Sequence, residues 1–256
     1  MAFRILYADP QWRSLQTRLD ALIDGPHFAQ NKQTDRTRAG MVCVDGRAAF
    51  VKQVKTRGYL HGLLVGLTGS RGRRALRGAA LLAADKFCHP RPLLVGEARR
   101  WGAVRATYVV TEALRAPRVL SEATLGRRYT PAFRKEASRQ VAAEIRRLHD
   151  AGIYTRDMQE TNLMVERAGE RFVLYFVDLE DFRAVGRVSW RRRLTNLVHL
   201  DRSIGRFVSR ARRLRFLYNY LGARPSRSEA RRIVRDYLAI RARVERRWAT
   251  RNLTRA

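Results

Sequence analysis

The segment "TPAFRKEASRQVAAEIRRLHDAGI", running from Thr130 to Ile153, constrains the fold more than any other stretch of the chain. Thr130 is placed to cap a helix, and Pro131 suits its first turn, where no intrahelical amide bond is needed. Phe133, Ala137, Val141, Ile145 and Leu148 then recur at helical spacing on one face, and Gly152 supplies a stop. A polar loop follows, and after it "NLMVERAGERFVLYFVDLED" predicts a hairpin with Ala168-Gly169 near its turn and Asp178 at the exit of its second strand. From Trp190 onward the pattern is amphipathic helix after amphipathic helix, with a break at Gly222–Pro225.

The chain before this point reads differently. "GMVCVDGRAAFVKQVK" (Gly40 to Lys55) predicts a hairpin, with Asp45-Gly46 as the tight turn between two alternating apolar runs. "SRGRRALRGAALLAADKF" (Ser70 to Phe87) predicts a helix starting near Ser70, with Leu76, Ala80 and Leu81 on one face and a stop before Pro90. "PLLVGEARRWGAVRATYVVTEAL" predicts two more strands around a Gly-containing turn. The expectation is an α+β chain of 256 residues in two lobes. Residues 1–112 would form a small antiparallel lobe of four strands and one helix, and residues 113–256 a mostly helical lobe.

Charge bounds the partners rather than the fold. Lys and Arg number 53 against 23 acidic residues, a net +30, and 48 of the 53 are Arg. So large an excess draws in anions, whether nucleic acid, an anionic bilayer or a phosphorylated glycolipid. No zinc-finger spacing and no aromatic-interleaved RNA-binding signature accompanies it, so no specific nucleic acid is expected. The first residues lack the apolar core of a signal peptide, and the longest uncharged apolar run, Tyr59 to Ser70, is too short to span a bilayer. Cys43 and Cys88 stand in apolar surroundings away from metal-ligand spacing, which predicts buried thiols in a reducing, cytoplasmic setting.

Four polar residues stand out against this background. Lys52 interrupts the second strand of the first hairpin, in a chain that otherwise uses Arg for generic positive charge. An ammonium acts as a compact point charge on phosphates, which a guanidinium does not. Lys55 has the opposite strand parity and is expected to face solvent. Asp157 lies just beyond a helix C-terminus, where the helix dipole disfavours a carboxylate, and Asn162 follows five residues later. Asp178 ends the apolar run Val173–Val177. Strand Lys, loop Asp-x4-Asn, strand-end Asp is the layout that phosphoryl transfer from ATP requires: a cation for the α/β-phosphates, a carboxylate for the acceptor hydroxyl, an amide and a second carboxylate for Mg²⁺.

At these residues the chain resembles a protein-kinase-like fold, and in particular the lipopolysaccharide kinase family, which phosphorylates Kdo or heptose of the inner core. The resemblance spans about Asn31 to Tyr237. It rests on "AFVKQVKTRG", "GSRGRRALRGAALL", "PRPLLVGE", "YVVTEAL", "LHDAGIYTRDMQETNLMV", "YFVDLEDFR" and the Arg-rich "RRRLTNLVHLDRSIGRF". It implies ATP and Mg²⁺ as cofactors, Lys52 as the phosphate lysine, and Thr111, Glu112, Ala113 and Leu114 as the hinge against the adenine. It also implies Asp157 as catalytic base, with Asn162 and Asp178 as Mg²⁺ ligands and Asp181 a rival to Asp178. The implied substrate is a lipopolysaccharide core or lipid A precursor, met at the anionic inner-membrane surface of a Gram-negative bacterium by a peripheral cytoplasmic enzyme.

The chain departs from the kinase pattern in three places. Thr155 occupies the position where kinases place His before Arg-Asp, so the loop needs another support. The helix after Ser70 carries no Glu to pair with Lys52, leaving Asp85 or Glu97 as the expected substitute. No G-x-G loop occurs, and Asn31–Gly40 would have to cover the phosphates. Only a dozen residues separate Asp178 from Trp190, too few for a long phosphorylatable activation segment, which favours a kinase of small molecules or glycolipids. An atypical protein kinase, an aminoglycoside-type kinase and a basic pseudokinase scaffold share the same layout.

Overall fold

The computed structural model describes residues 2–26, 28–115, 117–125, 129–168 and 171–253, and its first strand is one that no strong alternation announces. β1 (Ala2–Ala8) lies at a sheet edge, where half of each residue stays in solvent and the apolar pattern is correspondingly weak. A 3-10 segment, Pro10–Thr17, and the short helix α1 (Leu19–Asp24) follow. β2 (Ala29–Gln33) is a wholly exposed edge strand, paired through a tight turn with β3 (Thr37–Val44). Residues 31–40 thus form the tip of a hairpin. β4 (Arg47–Lys55) pairs with β3 around Asp45-Gly46, both at positive φ (50° and 76°), the geometry an Asp-Gly turn favours.

Two helices come next, α2 (Tyr59–Thr68) and α3 (Arg71–Ala84). They are followed by β5 (Pro92–Arg100) and β6 (Ala103–Glu112), joined at Trp101-Gly102. The sheet therefore has six antiparallel strands, in the order β1-β5-β6-β4-β3-β2, with both edge strands outside the four expected. Three helices accompany it in place of one. α1 is only six residues long, and α2 carries no charge to define a polar face, so neither has a clear helical period.

One face of the sheet, from Val42, Val44, Ala49, Val51, Leu94 and Val110, is covered by Trp12, Leu15, Leu19 and Ile23. The helix α3 starts as expected, Ser70 Oγ accepting from the Arg73 amide at 3.3 Å. Its buried face, however, is Gly72, Ala75, Gly78, Ala79 and Leu82 rather than Leu76, Ala80 and Leu81. Close approach is the reason: a Cβ on Gly72 would stand 2.8 Å from the Val95 side chain, and one on Gly78 would stand 1.9 Å from the Leu179 carbonyl. Small residues face inward here because strand side chains at Gly72 and turn backbone at Gly78 lie against them, and a search for large apolar side chains picks the wrong face. Cys43 and Cys88 are likewise exposed and form no disulfide; Cys43 alternates with buried Val42 and Val44 and so falls on the outer side of β3.

Residues 1–115 with 178–182 make one compact unit, and residues 116–177 with 183–256 a second. The second begins with β7 (Arg118–Val119) and α4 (Leu120–Leu125). α5 (Pro131–Asp150) matches expectation at both ends: Thr130 Oγ1 accepts from the Phe133 amide at 3.2 Å, and Gly152 adopts φ 75° just past the last turn. Ala137, Val141, Ile145 and Leu148 are buried along it.

After β8 (Ile153–Thr155) come the hairpin strands β9 (Leu163–Ala168) and β10 (Arg171–Phe176), antiparallel, with β7 on the far side of β9. Gly169 of the expected turn lies outside the described residues. β11 (Phe182–Ala184) pairs with β8. α6 (Trp190–Ile204), α7 (Arg210–Leu221) and α8 (Arg227–Leu253) complete the unit, the expected break at Gly222–Pro225 separating the last two. Among the described residues, no helix is long and apolar enough to cross a membrane.

Candidate active site

In the first unit, Lys52 sits on the face of β4 opposite the Ala49–Val51 core, paired in register with Ala39 and Val109. Its Nζ donates to Asp178 Oδ1 at 2.6 Å and to Glu180 Oε1 at 2.8 Å. Lys55 is exposed. Glu180, which nothing in the sequence singled out, is nearly buried and is also reached by Arg71 Nη1 at 3.0 Å and Arg74 Nη2 at 3.7 Å. The expected substitutes take no part: Glu97 is held by Arg99 at 2.6 Å, and Asp85 is exposed at the end of α3.

The polarity of the helix–strand ion pair is therefore rearranged. α3 brings arginines, and the carboxylate facing Lys52 comes from the turn after Asp178. Gly78 lets that turn rest directly on the helix. Asp178 itself adopts the left-handed region (φ 59°, ψ 56°), which Asp reaches more readily than most residues with a Cβ.

Electrostatics separate the two carboxylates. Burial alone pushes Glu180 up, but Lys52 and Arg71 outweigh it and hold Glu180 below the ordinary carboxylate range. Burial also pushes Asp178 up, and there it prevails over Lys52, with the Glu180 and Asp181 charges adding to the rise. Lys52, although desolvated, is held above its usual value by the two carboxylates. Glu180 owns most of the positive charge.

In the second unit, Asp157 and Asn162 come from one loop. Asn162 Nδ2 donates to the Asp157 carbonyl at 2.9 Å and lies 3.4 Å from Asp157 Oδ2, which leaves the amide oxygen as the free lone-pair end. The Asp157 amide donates to Thr155 Oγ1 at 3.3 Å, and Gln159 Nε2 donates to its carboxylate.

The missing loop histidine is replaced from elsewhere. Asn196 on α6, fully buried, donates to the Thr155 carbonyl at 2.8 Å, and its Oδ1 accepts from His149 Nε2 at 2.9 Å. That leaves His149 Nδ1 to accept from the Tyr220 hydroxyl at 2.8 Å. Burial holds His149 down to about 4, so the ring is neutral and this donor–acceptor order is fixed. His199, also on α6, feels the Asp157 charge, though its burial prevails and lowers it. The partners of His149 lie 47 and 71 residues away in the sequence, beyond the reach of any local motif.

The hinge candidates sit at the end of β6. Thr111 is buried, Glu112 is the last strand residue, and Ala113 and Leu114 follow half-buried. The Glu112 carboxylate accepts from the Arg91 amide at 3.1 Å. Its side chain is engaged within the unit.

A family model described as the lipopolysaccharide kinase (Kdo/WaaP) family matches residues 31–220. The chain belongs to that family. A search of curated proteins finds no match. Among solved structures, WaaP in complex with acyl carrier protein is similar at 22% identity and TM-score 0.64, covering 95% of this chain and 97% of that one. A complex of Neurospora crassa PAN2 with the PAN3 pseudokinase is similar at 11% identity and TM-score 0.43, covering 97% and 73%. The likeness to WaaP gives the chain a kinase-like fold, and membership of the family places it among lipopolysaccharide kinases.

Donor chemistry suits a hard divalent ion. Asp178 and Asp181, both in the first unit, offer only oxygen, and burial with the neighbouring carboxylates raises Asp178. Two expectations follow from the geometry. Glu180→Gln removes the carboxylate shared by Lys52 and two arginines and should destabilise the protein by about 3 kcal/mol in urea titration. His149 contributes stability that is complete above pH 6.5, its unfolded value, and is lost as the pH falls towards about 4. The pH-dependent part of the difference between wild type and His149→Gln should amount to on the order of 3 kcal/mol over that window.

Proposed function

We propose that this chain transfers the γ-phosphate of ATP to a sugar hydroxyl, of Kdo or heptose, in the lipopolysaccharide inner core. The observation that carries the reading is the Lys52 ammonium held at 2.6 Å from Asp178 within one unit of a lipopolysaccharide kinase family member. In this reading Lys52 binds the α/β-phosphates, and Glu180, steadied by Arg71 and Arg74, keeps the ammonium charged and aimed. Thr111 to Leu114 take the adenine. Asp178 and the Asn162 amide oxygen would hold Mg²⁺, with Asp181 the alternative carboxylate. The ion would supply neutralisation of charge on the transferring phosphoryl group.

Asp157 orients the acceptor hydroxyl and takes its proton. The Asn162 and Gln159 amides and the Thr155 hydroxyl hold it in place, while His149 and Asn196 hold Thr155. The reaction is mostly positioning and charge compensation, so a rigid loop and a fixed ammonium account for much of what the protein must provide. We place the enzyme at the cytoplasmic face of the inner membrane of a Gram-negative bacterium. Its net charge of +30 supports contact with anionic lipid and with phosphates on the substrate.

A protein partner is part of the proposal. The second unit contains an apolar cavity of about 890 Å³, lined by residues such as Leu200, Ile204, Leu217 and Val234 and edged by Arg134 and Arg210. That combination supports an anionic carrier of an acyl chain, and an acyl carrier protein is the partner in the solved WaaP complex.

Asp157→Ala should lower turnover by about 10² to 10⁴, the range for losing a positioned base, with ATP-induced thermal stabilisation retained. Labelled ATP offered with core oligosaccharide, aminoglycoside and protein acceptors would separate the sugar-kinase reading from the others. A wild-type protein that binds no nucleotide would be a scaffold. For the carrier, co-elution on gel filtration should be retained with acylated carrier protein and weakened by Ile204→Asp.

A further inference from the structure

α2 is ten residues long, "YLHGLLVGLT", and contains no charged side chain. Its inner face is set by Gly62, where a Cβ would stand 2.5 Å from the Val104 carbonyl, so the helix lies directly on β6. The Tyr59 hydroxyl donates to the Trp101 carbonyl at 3.0 Å and ties the helix to the β5–β6 turn.

The outer face is the anomaly. Leu60, Leu64 and Leu67, at positions i, i+4 and i+7, share one side of the helix and are 76%, 60% and 86% exposed. A surface helix normally carries charged residues there. At the turn to which Tyr59 ties the helix, Trp101 is 75% exposed, with φ 48°, a position where tight turns favour Asn, Asp or Gly. A bulky ring is thus kept in solvent at a conformational cost. Contiguous exposed apolar groups of this kind mark interaction surfaces.

Charge identifies the occupant. From Gly46 to Ala84 the chain carries eight basic residues and no acidic one. Arg57 lies two residues before the helix, and Arg100 and Arg105 are exposed on the strands beside it. The Arg100 guanidinium lies 4.2 Å from the Trp101 ring centroid. A second copy of the chain would bring this arginine rim against its like. Protruding Leu, an amphipathic Trp and a rim of Arg are the chemistry of an interfacial anchor: the leucines enter the acyl region, the indole stays at the headgroup level, and the guanidinium groups meet lipid phosphates.

We propose that the outer face of α2 and the Trp101-Gly102 turn form an interfacial anchor that seats the first unit on an anionic bilayer. The inference rests on the membrane-peripheral reading above and adds to it the surface that makes the contact. It also separates two roles for the basic residues: those around α2 meet lipid, whereas Arg71 and Arg74 are occupied with Glu180.

The test is flotation of the full chain with phosphatidylglycerol-containing vesicles and with phosphatidylcholine vesicles, for wild type, Leu60→Asn/Leu67→Asn and Trp101→Ser. Because these side chains are exposed, the variants should melt as wild type does and keep the ATP-induced thermal shift. Wild type should bind the anionic vesicles and retain part of that binding at high salt, since apolar insertion is not screened. The double variant should bind about tenfold or more weakly and lose the salt-resistant part. Brominated lipid should quench wild-type fluorescence more than that of Trp101→Phe. Equal binding by wild type and both variants would overturn the anchor while leaving the membrane reading intact. No vesicle binding by wild type would overturn both. A wild-type dimer converted to monomer by the leucine substitutions would assign the face to self-association and overturn the lipid assignment.

Discussion

The ion cluster around Lys52 is the interaction on which the rest of the first unit depends. One ammonium faces two carboxylates, and one of those carboxylates faces two arginines. In a partly buried site no member can be removed without leaving a charge uncompensated. The cluster also joins three parts of the chain that are far apart in sequence: β4, the first turn and a half of α3, and the turn after β10. Gly78 is the steric condition for the meeting, since any side chain there would push the Leu179 carbonyl off the helix.

This cluster shows how the same physical requirement is met by different residues. A phosphate-binding lysine needs a negative partner to remain charged and aimed when desolvated. In this chain the helix that could have supplied the partner supplies arginines, and the negative charge is carried by Glu180, two residues after Asp178. The division of labour follows: Glu180 meets Lys52, Arg71 and Arg74, and Asp178 meets Lys52. In the second unit a parallel substitution holds the loop. Thr155 lacks an imidazole, and His149 with Asn196 supplies the rigidity from α5 and α6, so that Asp157 is oriented by a chain of neutral hydrogen bonds that a proton on His149 would disrupt.

The surface repeats the lesson that arginine count alone assigns nothing. Arg71 and Arg74 belong to the ion cluster, Arg193 ties Asp150 to α6, and Arg213 pairs with Asp201. The basic residues around α2 differ because they frame an apolar face instead of answering a carboxylate. Composition told the sign of the partner; which arginines are available to meet it depends on where the few acidic residues fall.

What the sequence determined by itself was local. α5, with its cap, its stop and its apolar stripe, was legible because a helix declares itself within four residues. The Asp45-Gly46 turn was legible because only certain residues accept positive φ. Lys52, Asp157, Asn162 and Asp178 were legible as polar residues in places that local structure does not ask for. Tertiary structure decided what no short window contains. The edge strands β1 and β2 exist because a sheet offers its edge. α3 buries Gly72 and Gly78 because strand side chains and the Leu179 backbone press on it. Cys43 faces outward because β3 alternates that way. Glu180, 128 residues from Lys52, became its partner because burial forces distant charges to find one another.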